Sequence, residues 1–164
     1  MKIYTIGHSN RSFADFIKIL KTYKIELVID VRKIPKSTRF PHFTKENLET
    51  QLPKNQIDYI HLQELGGYKK EGYHAFSQTK EYFDAITKLI AIISNKTVSI
   101  FCSEILWWRC HRRYIAKTLV EKRIQVTHII DLNQTQEHKP EEKEVKEKMK
   151  TKIFCDKKAK KNSP

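Results

Sequence analysis

The chain has 164 residues, 39% hydrophobic and 31% charged, which predicts one domain with a core of useful size. No apolar run is long enough to span a bilayer as a helix, which excludes that class of membrane protein and predicts no membrane partner. With 32 Lys and Arg against 19 Asp and Glu the net charge is +13, which favours anionic partners, with solubility as the blander use of the same charge.

Residues 2–6 read as a first strand, followed by the polar turn Gly7, His8, Ser9 and Asn10. This start lacks the regions of a signal peptide, which predicts a cytoplasmic protein with its three cysteines reduced; the odd count argues against a Cys102 to Cys110 disulfide. Ser12 with Asp15 resembles a capping box, and Phe13, Phe16, Ile17 and Leu20 make one apolar stripe, which predicts a helix. Residues 27–31 are apolar except for Asp30, the pattern of a parallel strand buried on both faces. Arg32, Lys33, Ile34 and Pro35 then end regular structure.

Residues 36–43 form a basic, aromatic loop, and Thr44 caps a short helix that carries Leu48 and Leu52 and is stopped by Pro53. Residues 57–62 are another strand, leading to Leu65, Gly66 and Gly67, where two glycines permit a turn or close approach to a ligand. A long helix follows Ser77, with Phe83, Ile86, Leu89, Ile90 and Ile93 facing the sheet. The order closes with a strand at 97–102, a helix in which Tyr114, Ile115, Leu119 and Val120 recur at helical spacing, and a strand at 126–131.

Alternating strands and helices predict a single three-layer α/β domain over residues 1–136, with a mainly parallel sheet flanked by helices and joined by right-handed crossovers. From residue 137 the composition turns to Glu and Lys, with a short apolar island at 153–155, so residues 137–164 read as a charged appendage, helical or disordered. That segment holds ten basic and six acidic residues, which leaves +9 for residues 1–136.

Parallel order gathers the C-terminal strand ends on one edge, the usual place of ligands in α/β proteins. The candidate catalytic residues there are His8, Asp30, Cys102, Glu104 and His111, and the candidate ligand-binding residues are Ser9, Arg32, Trp108, Arg109 and Arg112. A helix start at His111 and Arg112 favours an anion and would lower the pKa of a nearby Cys102 thiol. Each residue also has a plainer use. Cys102 continues the Val98 and Ile100 side of its strand as an inert core thiol, Asp30 bridges backbone amides, and His128 alternates with Val126 and Ile130 as a satisfied core histidine. Trp107 and Trp108 stack a base or pack over the sheet edge, and Cys110 and Tyr114 pack their helix. Cys102, Cys110 and His111, with His8 or His128, suffice in number for zinc. Their spacing matches no zinc ribbon or finger, and Cys110 and His111 on one helix would diverge by about one hundred degrees, so no metal ligand is assigned.

The segments TIGHSNRSF from Thr5, LVIDVRKIPKS from Leu27, ELGG from Glu64, CSEILWWRCHRRYIA from Cys102 and VTHII from Val126 resemble, in that order, the domain of unknown function 488 family. The resemblance implies a fold and a shared site without a reaction: His8 and Ser9, Asp30 and Arg32, Cys102 and Glu104, then Cys110, His111 and Arg112. Residues 68–76 look shorter than is usual in that family, and the basic tail lies outside the likeness. A fainter likeness joins the strand order to rhodanese-like and cysteine-phosphatase-like domains, where a cysteine after a strand lies in an oxyanion-cradling loop; here six residues without glycine separate Cys102 from Arg109.

The leading expectation is therefore an active-site-like polar cleft that binds a phosphate-bearing or other anionic ligand, with hydrolase or transferase chemistry if it is catalytic. The alternatives are a non-catalytic nucleic-acid or nucleotide-binding module, using Arg32, Lys36, Arg39, Trp108, Arg109 and Arg113, and a structural metal-binding domain. The residues imply no particular cofactor and leave the oligomeric state open.

Overall fold

The apolar runs read as strands pair into one six-stranded sheet in the computed structural model, which describes residues 2–93 and 95–140. The strands are β1 (Lys2–Gly7), β2 (Leu27–Asp30), β3 (Asp58–His61), β4 (Val98–Cys102), β5 (Gln125–Asp131) and β6 (Gln134–Glu137), in the spatial order β3-β2-β4-β1-β5-β6. β1 to β5 are parallel and β6 pairs antiparallel with β5. The helices are α1 (Phe13–Thr22), α2 (Lys45–Lys54), α3 (Gly72–Phe76), α4 (Lys80–Ile92) and α5 (Arg112–Glu121).

Alternation along the strands sends side chains to two separate cores. Leu27 and Ile29 of β2 join Val98 and Ile100 of β4 under α4 and α5, whereas Val28 and Phe101 join Ile6 and Ile129 under α1 and α2. The result is three layers. Each fully buried aliphatic or aromatic side chain contributes about 1.5–3 kcal/mol relative to exposure, and burial on both faces explains why β2 and β4 are apolar but for Asp30 and Ser99.

Ser12 caps α1, accepting from the Asp15 N–H at 3.1 Å, but its hydroxyl donates to the Asp15 carboxylate, so the capping box is only half formed. Pro53 lies inside the last turn of α2, where it removes an N–H bond, and the helix ends one residue later. Thr44 sits at the cap position of α2, yet its hydroxyl donates to the Pro41 carbonyl rather than accepting from the helix. The long helix begins at Lys80 with Thr79 as its cap, and a separate short helix, α3, precedes it. Its buried face is Tyr82, Ala85, Ile86 and Leu89; Phe83, assigned to that face from the sequence, is 44% exposed because it lies one residue off the stripe.

β6 has no counterpart in the sequence reading, since its QTQE is fully exposed and carries no apolar alternation. It extends the sheet through Glu137, and the His138 N–H donates to the Val126 carbonyl, so the sheet runs past the expected boundary at 136. The apolar island at 153–155 lies outside the described residues. Among those described, no helix is long and apolar enough to cross a membrane.

The chain builds outward from β2 to β3, returns to set β4 between β2 and β1, then crosses β1 to lay down β5. At such a reversal, connections leave the strand ends in different directions, and a crevice opens.

Candidate functional site

Three strand ends are drawn together by main-chain bonds beyond the regular ladder. The His8 N–H donates to the Cys102 carbonyl at 3.0 Å, the Ser9 N–H to the Ser103 carbonyl at 2.8 Å, and the Val31 N–H to the Phe101 carbonyl at 3.0 Å. Gly7 permits this approach, because a Cβ there would overlap the Glu104 carbonyl. Ser9 turns the chain away in the left-handed region, with φ 47°, a conformation that non-glycine residues hold at a cost and that recurs at ligand sites.

Above these ends lies a cleft of about 860 Å³. Its walls include Arg32, Lys33, Lys36, Arg39 and Arg109, with Glu104 as the one carboxylate among the described residues, and Cys102, Cys110 and His111 also line it. Glu104 is partly engaged already, its Oε1 accepting the Leu106 N–H at 3.0 Å. Among the described residues, Lys33, Lys36, Arg39 and Arg109 make no ion pair, so the cleft is strongly cationic. Ile34 and Tyr68 stand exposed on its lining.

Arg32 is aimed by Asp30. The fully buried carboxylate accepts the Arg32 backbone N–H at 3.0 Å, its Nε at 2.9 Å, its Nη2 at 2.6 Å and the Tyr59 hydroxyl at 2.8 Å. Asp30 is thus saturated, does not line the cleft and is no free base; it positions a residue that does. Burial, then the neighbouring carboxylate, push the Tyr59 hydroxyl well above its ordinary range, so it stays a donor.

Cys102 ends β4 and Cys110 follows a 3-10 turn at Trp107–Arg109, with His111 as the cap of α5. Cys110 is extended, at φ −102° and ψ 152°, so the divergence of neighbours on a helix does not apply and both side chains turn to one point. His111 Nδ1 lies 3.9 Å from the Cys102 sulfur and 3.7 Å from the Cys110 sulfur. Its Nε2 is 3.0 Å from the Val31 carbonyl, which can only accept, so Nε2 carries the proton and Nδ1 presents a lone pair to the thiols. Cys110 is the more acidic thiol, lowered first by the hydrogen bond from Cys102 and then, against burial, by the Arg112 guanidinium. Cys102, as donor in that bond and buried, is raised. The acidic thiol is therefore Cys110 and not Cys102 as the sequence suggested, because Cys102 is the donor and Cys110 the acceptor of the bond between them.

That cation is not a cleft group. Arg112 is 1% exposed; its Nε donates to the Cys110 sulfur at 3.4 Å, its Nη1 to the Thr5 hydroxyl at 3.4 Å and its Nη2 to the Glu104 carbonyl. Among the described residues it has no carboxylate partner, so the sulfur is the only acceptor there able to carry a negative charge.

His8 lines the cleft with its ring stacked on Phe43 at 4.3 Å. Its Nδ1 is 2.8 Å from the Ser9 carbonyl and so holds the proton, and burial, with Arg32 adding to it, lowers its pKa to about 4. It is a neutral imidazole with a bare Nε2 at neutral pH. His128 lies elsewhere, buried between the Thr5 hydroxyl at 2.7 Å and His138 Nδ1 at 3.0 Å, under a Trp107 ring stacked at 4.1 Å. Trp107 also donates to Gln136 at 3.0 Å, which makes it a packing residue, and Trp108 is 44% exposed outside the cleft.

Seven sequence-derived candidates thus meet in the cleft: His8, Ser9, Arg32, Cys102, Glu104, Arg109 and His111. Asp30, Arg112 and Trp108 do not line it. Lys33, Ser37, Ser103 and Tyr73 were missed as site residues; the basic composition of the 32–39 segment was a signal for the first of them. Tyr73, whose ring lies 4.9 Å from His111, sits in the five-residue α3, too short for any periodicity.

A family model described as Domain of unknown function DUF488 matches residues 12–119, about two-thirds of the chain. The span includes Asp30, Arg32, Cys102, Glu104, Cys110, His111 and Arg112, and leaves His8 and Ser9 just outside. No curated protein and no solved structure matches the chain, and the fainter likeness to rhodanese-like domains has no counterpart among the matches.

Proposed function

Because the chain belongs to the domain of unknown function 488 family, whose description names no reaction, we propose from the cleft itself that it binds a phosphate-bearing or other anionic small molecule and acts on it as a hydrolase or transferase. The observation that carries this reading is the convergence of Arg32, Lys33, Lys36, Arg39 and Arg109 on one concave site where, among the described residues, Glu104 is the single carboxylate and is already engaged. The reacting groups would be the Cys102, Cys110 and His111 cluster and the neutral His8, since simple anion binding needs none of them. Ile34 and Tyr68 offer apolar contact to the part of the ligand that carries no charge. A cytoplasmic setting, which keeps thiols reduced, fits the same reading.

The cleft reading is favoured over a nucleic-acid module because the cations gather in one pocket, whereas Trp108, the exposed candidate base platform, lies outside it. Calorimetric titration of the full chain with inorganic pyrophosphate and adenosine monophosphate, against uncharged adenosine, tests it. Both anions should bind, adenosine should not, and Arg39→Ala and Arg109→Ala should each weaken binding by about tenfold to a hundredfold, the worth of a hydrogen bond to a charged group. Adenosine binding as well as its monophosphate, or variants that bind pyrophosphate like the parent, would refute it.

A further inference from the structure

The three donors at the Cys102 end of the cleft have the arrangement of a metal site. Both cysteine sulfurs and His111 Nδ1 lie within 4.8 Å of one another. A tetrahedral zinc ion with bonds of about 2.3 Å to sulfur and 2.0–2.1 Å to nitrogen sets sulfur-to-nitrogen separations of about 3.6 Å and a sulfur-to-sulfur separation of about 3.8 Å. The separations from Nδ1 to the two sulfurs, 3.9 and 3.7 Å, need adjustments of only a few tenths of an ångström.

We propose that Cys102, Cys110 and His111 bind one zinc ion through both sulfurs and Nδ1, with the fourth position open to the cationic cleft. Two thiolates and an imidazole are soft and borderline donors that suit zinc, and three protein ligands with one open position are the pattern of a catalytic rather than a structural site. The surroundings already supply the outer contacts such ligands need. The Val31 carbonyl fixes the His111 tautomer that leaves Nδ1 free, and the Arg112 Nε supports the Cys110 sulfur with an N–H bond. Gly67 keeps the space beside Nδ1 clear, because a Cβ there would come within 3.2 Å of that atom. Metal binding replaces the thiol protons with the ion, and the protons go to solvent.

The ion site stands on its own geometry; that an anion or water takes the fourth position rests on the cleft reading above. The full chain, reduced and freed of metal by a chelator, is titrated with Co2+ and then Zn2+. One Co2+ per chain should bind with thiolate charge-transfer absorption and the visible bands of a tetrahedral ion, and Zn2+ should displace it. Cys110→Ser and His111→Gln should lose the charge-transfer absorption with native circular dichroism, and Cys155→Ser should keep it. In the unmodified chain, which avoids any folding defect of the variants, Zn2+ should slow alkylation of Cys102 and Cys110 by about tenfold or more and leave Cys155 unchanged.

Equal alkylation rates at Cys102 and Cys110 with and without Zn2+, or a band that survives Cys110→Ser, would overturn the site. Inorganic phosphate added to the Co2+ form should shift the visible bands; bands that ignore phosphate overturn the fourth-ligand assignment and leave the metal site standing. Pyrophosphate binding to the metal-free chain that Arg39→Ala does not weaken overturns the cleft reading alone.

Discussion

Acidification should destabilise this protein through His128, and the size of the effect can be worked out. The imidazole is 1% exposed, and burial first, then His138 and the Arg112 guanidinium, lower its pKa from 6.5 to about 2. The unfolded chain binds a proton at this residue below pH 6.5 that the folded chain refuses until near pH 2. Its contribution to stability is therefore complete above the unfolded pKa and is lost as pH falls. At about 1.36 kcal/mol per pH unit, the loss between pH 7 and 5 is about 2 kcal/mol, rising to about 3 kcal/mol at pH 4. That is a large share of the roughly 5–15 kcal/mol that holds a typical domain together. Among the described residues the groups facing His128 are Thr5, Trp107, His138 and Arg112, and none of them is a carboxylate that would offset the penalty. Urea unfolding of the parent chain and of His128→Gln at pH 7, 6, 5 and 4 isolates the term, with His138→Gln in both backgrounds to remove the one titratable group that bonds to His128. Between pH 7 and 5 the variant should lose about 2 kcal/mol less than the parent. Equal losses would refute the reasoning, and would mean that His128 takes up its proton inside the fold.

Asp30→Ala leaves the Arg32 guanidinium buried without its partner and removes the acceptor of Tyr59; a loss of about 3–5 kcal/mol is expected, read as a fall in the urea midpoint, together with weaker pyrophosphate binding as Arg32 is released. Ser99 carries a buried hydroxyl with no hydrogen-bond partner among the described residues, so Ser99→Ala should be neutral or gain up to about 1 kcal/mol in the same assay. A loss above that range would reveal a partner for the hydroxyl. Gly7→Ala forces a Cβ into the Glu104 main chain, and should cost about 1–3 kcal/mol while displacing the segment that carries Cys102, so that thermal midpoint and pyrophosphate affinity fall together. A variant with the parent's midpoint would show that the strand ends are not held so close.

Wherever burial was two-sided or strictly periodic, the sequence was readable. Residues 27–31 and 97–102 read as buried strands because both faces of β2 and β4 meet helices, and the Phe16, Ile17 and Leu20 stripe read as a helix because one face alone meets the sheet. β6 and α3 were illegible for the opposite reason: one is an exposed polar edge and the other a five-residue helix, and neither carries a pattern. The shift of the buried face of α4 from Phe83 to Tyr82 is a third case, since Tyr82 is buried through its hydroxyl, which bonds to the Tyr114 carbonyl and the Thr118 hydroxyl on α5, a partner invisible along the chain.

By itself, the sequence determined the fold class, the strand edge that holds the polar residues and seven of the residues that line the cleft, because alternating apolar periods dictate a parallel sheet and a parallel sheet gathers its C-terminal ends. Which groups stay free for a ligand was decided only in three dimensions. Asp30 is spent on Arg32, Arg112 is buried against Cys110, and Cys110 and His111, adjacent in sequence, converge on Cys102 because the main chain is extended at Cys110. Hydrogen-bond saturation and the direction of a side chain depend on neighbours distant in sequence, so no local pattern encodes them.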